Sequence, residues 1–250
     1  MIEEVIGLAE RLESMGYRAI PHLAVRRIES QAQLGGSLVR LRSAGIDRAL
    51  LIAGDLPQPA GPYDNTMQVL ETGLLPMHGV NTIGIAGHPE GSRFVGPTML
   101  RRALQDKARF AEDTGMRMYV VTQFGFNPHS VTAWEKATAS DGVELPIHVG
   151  MAGMAPLKQL MRYAVRCGVS ASARLLLGRA SALSKHTRLA AVDELVVEFA
   201  RYRLSSPESR IVRAHFYAFG GVERTARWLK SVRSGQFDIS SRRRIVTAID

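Results

Sequence analysis

Six short runs of aliphatic and β-branched residues punctuate the chain, and stretches of helical periodicity lie between them. The runs predict buried strands over 18–25, 49–53, 82–86, 118–122, 145–150 and 211–219. Pro21 inside the first run implies a bulge or an irregular pairing there. Ile2, Val5, Ile6, Ala9, Leu12 and Met15 recur at 3.6-residue spacing, and Gly16 stops that helix. Further helices are expected over 30–44, from 65 onward, over 98–113, 130–139 and 156–166, and up to Val232. Residues 172–203 read as helical in two or three pieces. Between the second strand and its helix, Pro57-Gln58-Pro59-Ala60-Gly61-Pro62 holds too many prolines for either regular element.

Strand–helix alternation of this kind implies a parallel sheet with right-handed crossovers, an α/β fold. The 250 residues match the roughly 250 of one (β/α)₈ barrel of the TIM type. Six strands are legible, whereas eight close such a barrel. The expected fold is therefore a TIM-type barrel incomplete at its N-terminus, one domain over 1–233 followed by a basic tail over 234–250. An open barrel edge would leave 18–25 and 211–219 unpaired, which natural proteins avoid. We expect the natural product to start upstream; the alternative is a short protein that closes differently or dimerises across the gap.

Composition narrows the class. Hydrophobic residues make up 46% of the chain, yet no apolar run reaches the roughly 18 residues of a membrane span. Met1-Ile2-Glu3-Glu4-Val5 lacks the charged and apolar regions of a signal peptide, and Cys167 is the single cysteine. It can form no internal disulfide and no all-cysteine metal cage, and its apolar neighbours suggest a packed thiol. Both point to a cytoplasmic protein. The net charge of +9 is concentrated in 201–250, where 11 Lys and Arg face 4 Asp and Glu, a net +7. A solvated terminus, partly disordered, is the plain reading of that tail. Attraction for a polyanionic ligand such as a polyglutamylated cofactor is a second, and nucleic-acid binding a third that lacks any recognition motif.

Chemistry-bearing residues gather where strands end, the position at which α/β barrels build their sites. Asp55 follows Gly54 after the second strand, where its carboxylate could orient a polar heterocycle or cap the turn before Leu56-Pro57. His88, between Gly87 and Pro89, could contact a cofactor or stabilise a turn; with His22 it makes no recognisable metal spacing. Glu90 beside it could serve as a base. Gln123, directly after Val120-Val121-Thr122, could read the donor–acceptor edge of a pterin or flavin ring, or satisfy a neighbouring strand's backbone. Gln159 and Tyr163 lie four apart on one helix and share a face. Together they could cover a planar ligand, although Tyr163 alone also suits core packing. Gly150, Gly153, Gly220 and Gly221 would let backbone approach a ligand closely. No P-loop, no G-x-G-x-x-G after a strand and no G-x-S-x-G elbow is present.

Taken in order, Pro21-His22-Leu23, Gly54-Asp55-Leu56-Pro57, His88-Pro89-Glu90, Thr122-Gln123-Phe124 and His215-Phe216-Tyr217 resemble the methylenetetrahydrofolate reductase family over about 18–219. That family consists of flavin-containing (β/α)₈ barrels of one-carbon metabolism and methionine biosynthesis. They pass hydride from NADH or NADPH through FAD to 5,10-methylenetetrahydrofolate, giving 5-methyltetrahydrofolate. The resemblance implies that His22, Gly54, Asp55 and His88 contact FAD. It makes Asp55 the catalytic carboxylate beside the pterin and flavin N1. Gln123 and Gln159 would contact the folate with Asp55, and Tyr163 would stack on the nicotinamide or folate ring.

The chain also departs from the family pattern. Nothing matches the Phe-Glu-Phe-Pro-Pro-like first strand, whose glutamate is the family's general acid, or the second strand with its Thr-Tyr flavin contacts. Ala53 stands where the family has arginine and Gly84 where it has tyrosine, while Gly221 replaces the arginine after the last strand. The family's Asn, Arg and Lys trio aligns loosely with Lys107, Phe110 and Ala111. A flavin-free relative and a non-catalytic folate-binding protein therefore stand as alternatives to the reductase.

Overall fold

The computed structural model describes residues 2–167, 169, 190–239 and 245–247. Six strands form one sheet in chain order: β1 (His22–Ala24), β2 (Arg48–Ile52), β3 (Thr82–Gly87), β4 (Arg117–Thr122), β5 (Ile147–Ala152) and β6 (Ile211–Tyr217). The pairs β1–β2, β2–β3 and β5–β6 run parallel. Helices fill the crossovers: α1 (Ile2–Ser14), α2 (Gln31–Ser43), α3 (Thr66–Glu71), α4 (Leu74–Met77), α5 (Pro97–Thr114), α6 (Pro128–Ser140), α7 (Leu157–Cys167), α8 (Ala190–Ser205) and α9 (Val222–Arg233). The protein is thus an α/β fold on a six-stranded parallel sheet. No helix among the described residues is long and apolar enough to cross a membrane.

The chain divides into two compact units, residues 1–86 with 103–120, and residues 87–102 with 121–250. In the first, α1 buries Ile2, Ile6 and Ala9, which fall on one face at the spacing read from the sequence. Leu34, Leu38 and Leu41 of α2 are buried in the same unit, with Leu23, Leu51, Ile83 and Ile85 from the strands. Arg40 ties the two helices by reaching Glu3 and Glu10 of α1, at 2.5 Å each. Local caps set the helix starts. Ser30 accepts from the Gln33 N–H at the head of α2, and Asn65 and Gln68 form a capping box on α3.

In the second unit, Asn127 caps α6 with Pro128 at its first position. Met154, Val197 and Trp228 form a buried cluster against which Phe216, Leu229, Val232 and Phe237 pack. Phe237 comes from an element absent from the sequence reading. Residues 237–239 (β7) pair antiparallel with 245–247 (β8), so part of the basic tail folds as a short hairpin rather than as a loose terminus. Phe237 pairs with Thr247, Asp238 with Val246 and Ile239 with Ile245, runs too short to read as strands beside so many arginines. Of the long helical stretch expected over 172–203, residues 190–203 lie in α8, and 172–189 lie outside the described residues, as does the Arg242–Arg244 run.

Candidate functional site

The second unit collects the polar and aromatic groups at the C-terminal ends of β4, β5 and β6. Thr122 closes β4, and its Oγ1 accepts from the Gly150 N–H of β5 at 2.7 Å. Its carbonyl accepts from the Tyr217 hydroxyl of β6 at 3.1 Å. Tyr217 is half-buried, and desolvation first, with the nearby Cys167 second, raises its pKa far above the ordinary tyrosine value. Tyr217 therefore stays a neutral donor. These bonds fix the strand ends on which the next residues stand.

Gln123 follows immediately. Its backbone N–H donates to the Gly87 carbonyl at 2.8 Å, and its side-chain Nε2 donates to the Cys167 carbonyl at the end of α7, at 2.5 Å. Oε1 of the same amide is buried and accepts no hydrogen bond. The sequence left open whether this amide reads a ligand or satisfies backbone. It satisfies backbone with one end, a helix terminus rather than a strand, and the acceptor end is left over.

An aromatic cluster begins at the next residue along the chain. Phe124, the next residue, is buried and packs edge-on against Phe126 at 5.9 Å and Phe219 at 4.7 Å between centroids. Phe219 stacks on Tyr163 of α7 at 4.4 Å and 24°. It also lies nearly parallel to Tyr217, at 5.8 Å and 14°. Gln159 and Tyr163 do share one face of α7, and the Gln159 amide rests on Gly220, where a β-carbon would meet its Nε2 at 2.7 Å. Gln159 and Tyr163 thus both meet the 219–220 turn, while Gln123 reaches the same helix at its end, the Cys167 carbonyl. Phe219 is a residue the sequence reading took only for the tail of a strand. Its signal was the aromatic run Phe216, Tyr217, Phe219 ahead of a Gly-Gly pair.

Glu90 and His88 follow β3 in the same unit. The Gly91 N–H donates to the His88 carbonyl at 3.0 Å, so the backbone of His88 makes a turn. The carboxylate oxygens of Glu90 are shielded from solvent, and Oε1 would stand 2.9 Å from a β-carbon added at Gly125. Residue 125 must be glycine for that carboxylate to sit there.

The glycines singled out as ligand cradles do other work. A β-carbon at Gly150 would lie 2.1 Å from the Thr122 carbonyl oxygen. One at Gly153 would meet Thr225 Oγ1 at 2.6 Å, and one at Gly221 the Met154 carbonyl at 2.4 Å. Protein atoms already fill these spaces, so the glycines serve close packing of strand and helix rather than approach to a ligand.

The remaining expected residues lie in the first unit. His22 is half-buried on β1, and desolvation lowers its pKa, which keeps the imidazole neutral. Gly54 has φ +95°, and a β-carbon there would press on the Ala24 methyl at 3.1 Å. Asp55 is bound by Arg27, from Nη2 at 2.5 Å and Nε at 3.2 Å, both to Oδ1. Its side chain is still 54% exposed. Arg27 was not foreseen, because it is 28 residues away and only the turn after β1 brings it to the end of β2. Gly84 faces a filled space too: a β-carbon would lie 2.9 Å from the Tyr119 phenol ring and hydroxyl. Among the described residues no group of three or more His, Cys, Asp or Glu is placed to hold a metal ion.

These side chains bear on whether a flavin suits the chain. A carboxylate held by a guanidinium, still half exposed, and a neutral imidazole offer donors and acceptors to the polar edge of a flavin ring. At that level the residues fit. No protein-family model matches the chain.

Proposed function

We propose that the chain is a folate-dependent oxidoreductase built on βα units of the (β/α)₈ barrel kind, reducing 5,10-methylenetetrahydrofolate to 5-methyltetrahydrofolate with NADH or NADPH. The observation that carries the binding half of this reading is Gln123. Its amide is anchored at one end and presents a buried acceptor at the other, and the next residue, Phe124, belongs to a cluster of packed rings. A buried acceptor without a donor costs free energy, about 1–3 kcal/mol, that a ligand N–H can recover. A pterin offers such N–H groups on a flat ring that suits aromatic neighbours. The order of the strand-end motifs supports the narrower choice of folate.

On this reading Gln123 and Gln159 fix the pterin edge, and Tyr163 supplies a ring face. The resemblance gives Asp55, which Arg27 orients, the role of the catalytic carboxylate. FAD, when bound, supplies the hydride relay, and the resemblance assigns it His22, Gly54, Asp55 and His88. The protein's share is positioning: a ring held edge-on by amides and face-on by tyrosine has little freedom left to lose on the way to transfer.

Purified protein tests the reading directly. Flavin absorption, together with oxidation of NADH or NADPH that depends on methylenetetrahydrofolate, is the expected result, and Asp55→Asn lowers turnover at least tenfold. That variant loses one exposed ion pair, worth under about 1 kcal/mol, so its melting temperature stays close to the native value. Failure of tetrahydrofolate to bind overturns the proposal.

A flavin-free folate-binding protein is a second reading, favoured by one observation. Tyr119 and the Met154 backbone fill the spaces at Gly84 and Gly221, positions that the resemblance gives to flavin contacts. Colourless protein that binds tetrahydrofolate would decide for it.

A further inference from the structure

Phe219 is the only non-glycine among the described residues with a positive φ, 44°. In that region the β-carbon crowds the neighbouring backbone, so a phenylalanine stays there only when its surroundings hold it. The surroundings are rings: Tyr163 stacked at 4.4 Å, Tyr217 nearly parallel at 5.8 Å, and Phe124 edge-on at 4.7 Å. The chain turns tightly just after it, with Gly220 also at positive φ and the Gly221 N–H donating to the Ala218 carbonyl at 2.7 Å. The Phe219 ring is half-buried rather than sealed in the core, and so is Tyr163. A strained residue has thus been placed where a flat ring lies against Tyr163.

We propose that Phe219 is a built-in occupant of the ring slot against Tyr163 and that a planar heteroaromatic ligand enters by displacing it. The exchange trades one stack for another, and leaving the left-handed conformation releases the strain of residue 219. The slot is therefore selective for flat aromatic rings, since an aliphatic ligand cannot replace the stack that Phe219 gives up. The inference rests on the proposed site but concerns the shape of its ligand and not the chemistry done on it.

Calorimetric titration of the full chain with tetrahydrofolate, riboflavin and nicotinamide mononucleotide tests the exchange. The native protein is compared with Phe219→Gly, which removes both the ring and the strain, and with Phe219→Leu, which uncovers the tyrosine face while keeping an apolar side chain. At least one planar probe should bind the leucine variant, which keeps the backbone strain and lacks the stack, roughly tenfold more tightly, the scale of the aromatic stack that no longer has to be given up. Adding Tyr163→Ala should abolish the gain. If the leucine variant fails to fold, the glycine variant carries the comparison, with a smaller gain because its strain is gone too. Unchanged, weaker or undetectable binding of all three probes overturns the inference, as does a gain that survives Tyr163→Ala. A gain with riboflavin or nicotinamide mononucleotide, while tetrahydrofolate binds neither the native protein nor the variants, supports the exchange and sinks the folate reading. Folate-dependent turnover without any gain does the reverse.

Discussion

Gln123 donates to the Cys167 carbonyl at 2.5 Å while its Oε1, buried in the same place, accepts nothing. One side chain is thus both a strut between β4 and α7 and an unfilled acceptor. Replacing Gln123 by Ala removes both roles. Tetrahydrofolate affinity should fall by roughly 1–3 kcal/mol, about 5- to 150-fold, by calorimetry. Unchanged affinity would take the amide out of the site.

Glu135 of α6 is the most heavily used polar side chain in the second unit. Its carboxylate is buried and accepts from the Arg210 N–H at 2.6 Å, the Ser209 hydroxyl at 2.7 Å and the Tyr202 hydroxyl at 2.8 Å. Desolvation first, and the bond to this carboxylate second, push the Tyr202 phenol up to about 12. Glu135→Ala leaves several donors without an acceptor and should cost about 2–4 kcal/mol in urea unfolding. Ligand affinity per folded molecule should be unaffected, which separates this structural hub from Gln123.

Two glycines make opposite predictions. Gly36 lies exposed in the middle of α2 with no atom within 4 Å of an added β-carbon, so Gly36→Ala should stabilise the protein by about 0.8–1 kcal/mol. Gly150→Ala puts a methyl 2.1 Å from the Thr122 carbonyl and should cost about 2 kcal/mol or more, through forced separation of β4 and β5. Thermal melts of the pair distinguish helix propensity from strand contact.

His148 on β5 titrates low, at about 4, because burial disfavours its charged form and Arg213 on the adjacent strand repels a proton. Unfolded, the same imidazole takes up a proton near its ordinary value of roughly 6.5. Between those values the unfolded chain holds more protons, so stability falls as pH drops from about 6.5 toward 4. Arg213→Gln should raise the His148 pKa and shrink that slope, as read by proton NMR and by urea melts across the window.

The sheet was legible because parallel strands leave concentrated aliphatic runs: all six strands overlap the stretches read from the sequence, four of them shifted or extended by one or two residues. Pro21 marked no bulge: it lies just ahead of β1, which pairs with β2 in regular register from His22. The site was legible to the extent that its members follow strand ends or share a helix face, as Gln123, Gln159 and Tyr163 do. What escaped was side-chain pairing across long separations. Arg27 reaching Asp55, Glu135 gathering residues 202–210, and Phe219 covering Tyr163 leave no periodic trace. The glycines misled for a related reason: their spacing shows that a β-carbon is excluded, but not whether protein or ligand excludes it.

The acceptor that anchors Gln123 is a peptide carbonyl, so it survives any change to the Cys167 side chain. Because the chain has a single thiol, half-buried at the end of α7 and near the Tyr217 phenol, nature has left one labelling point beside the ring cluster. A small environment-sensitive probe attached there would sense arrivals at the slot while the amide strut stays in place. Its fluorescence would time ligand entry and the swing of Phe219 in a stopped-flow instrument, with no cysteine removed from or added to the chain.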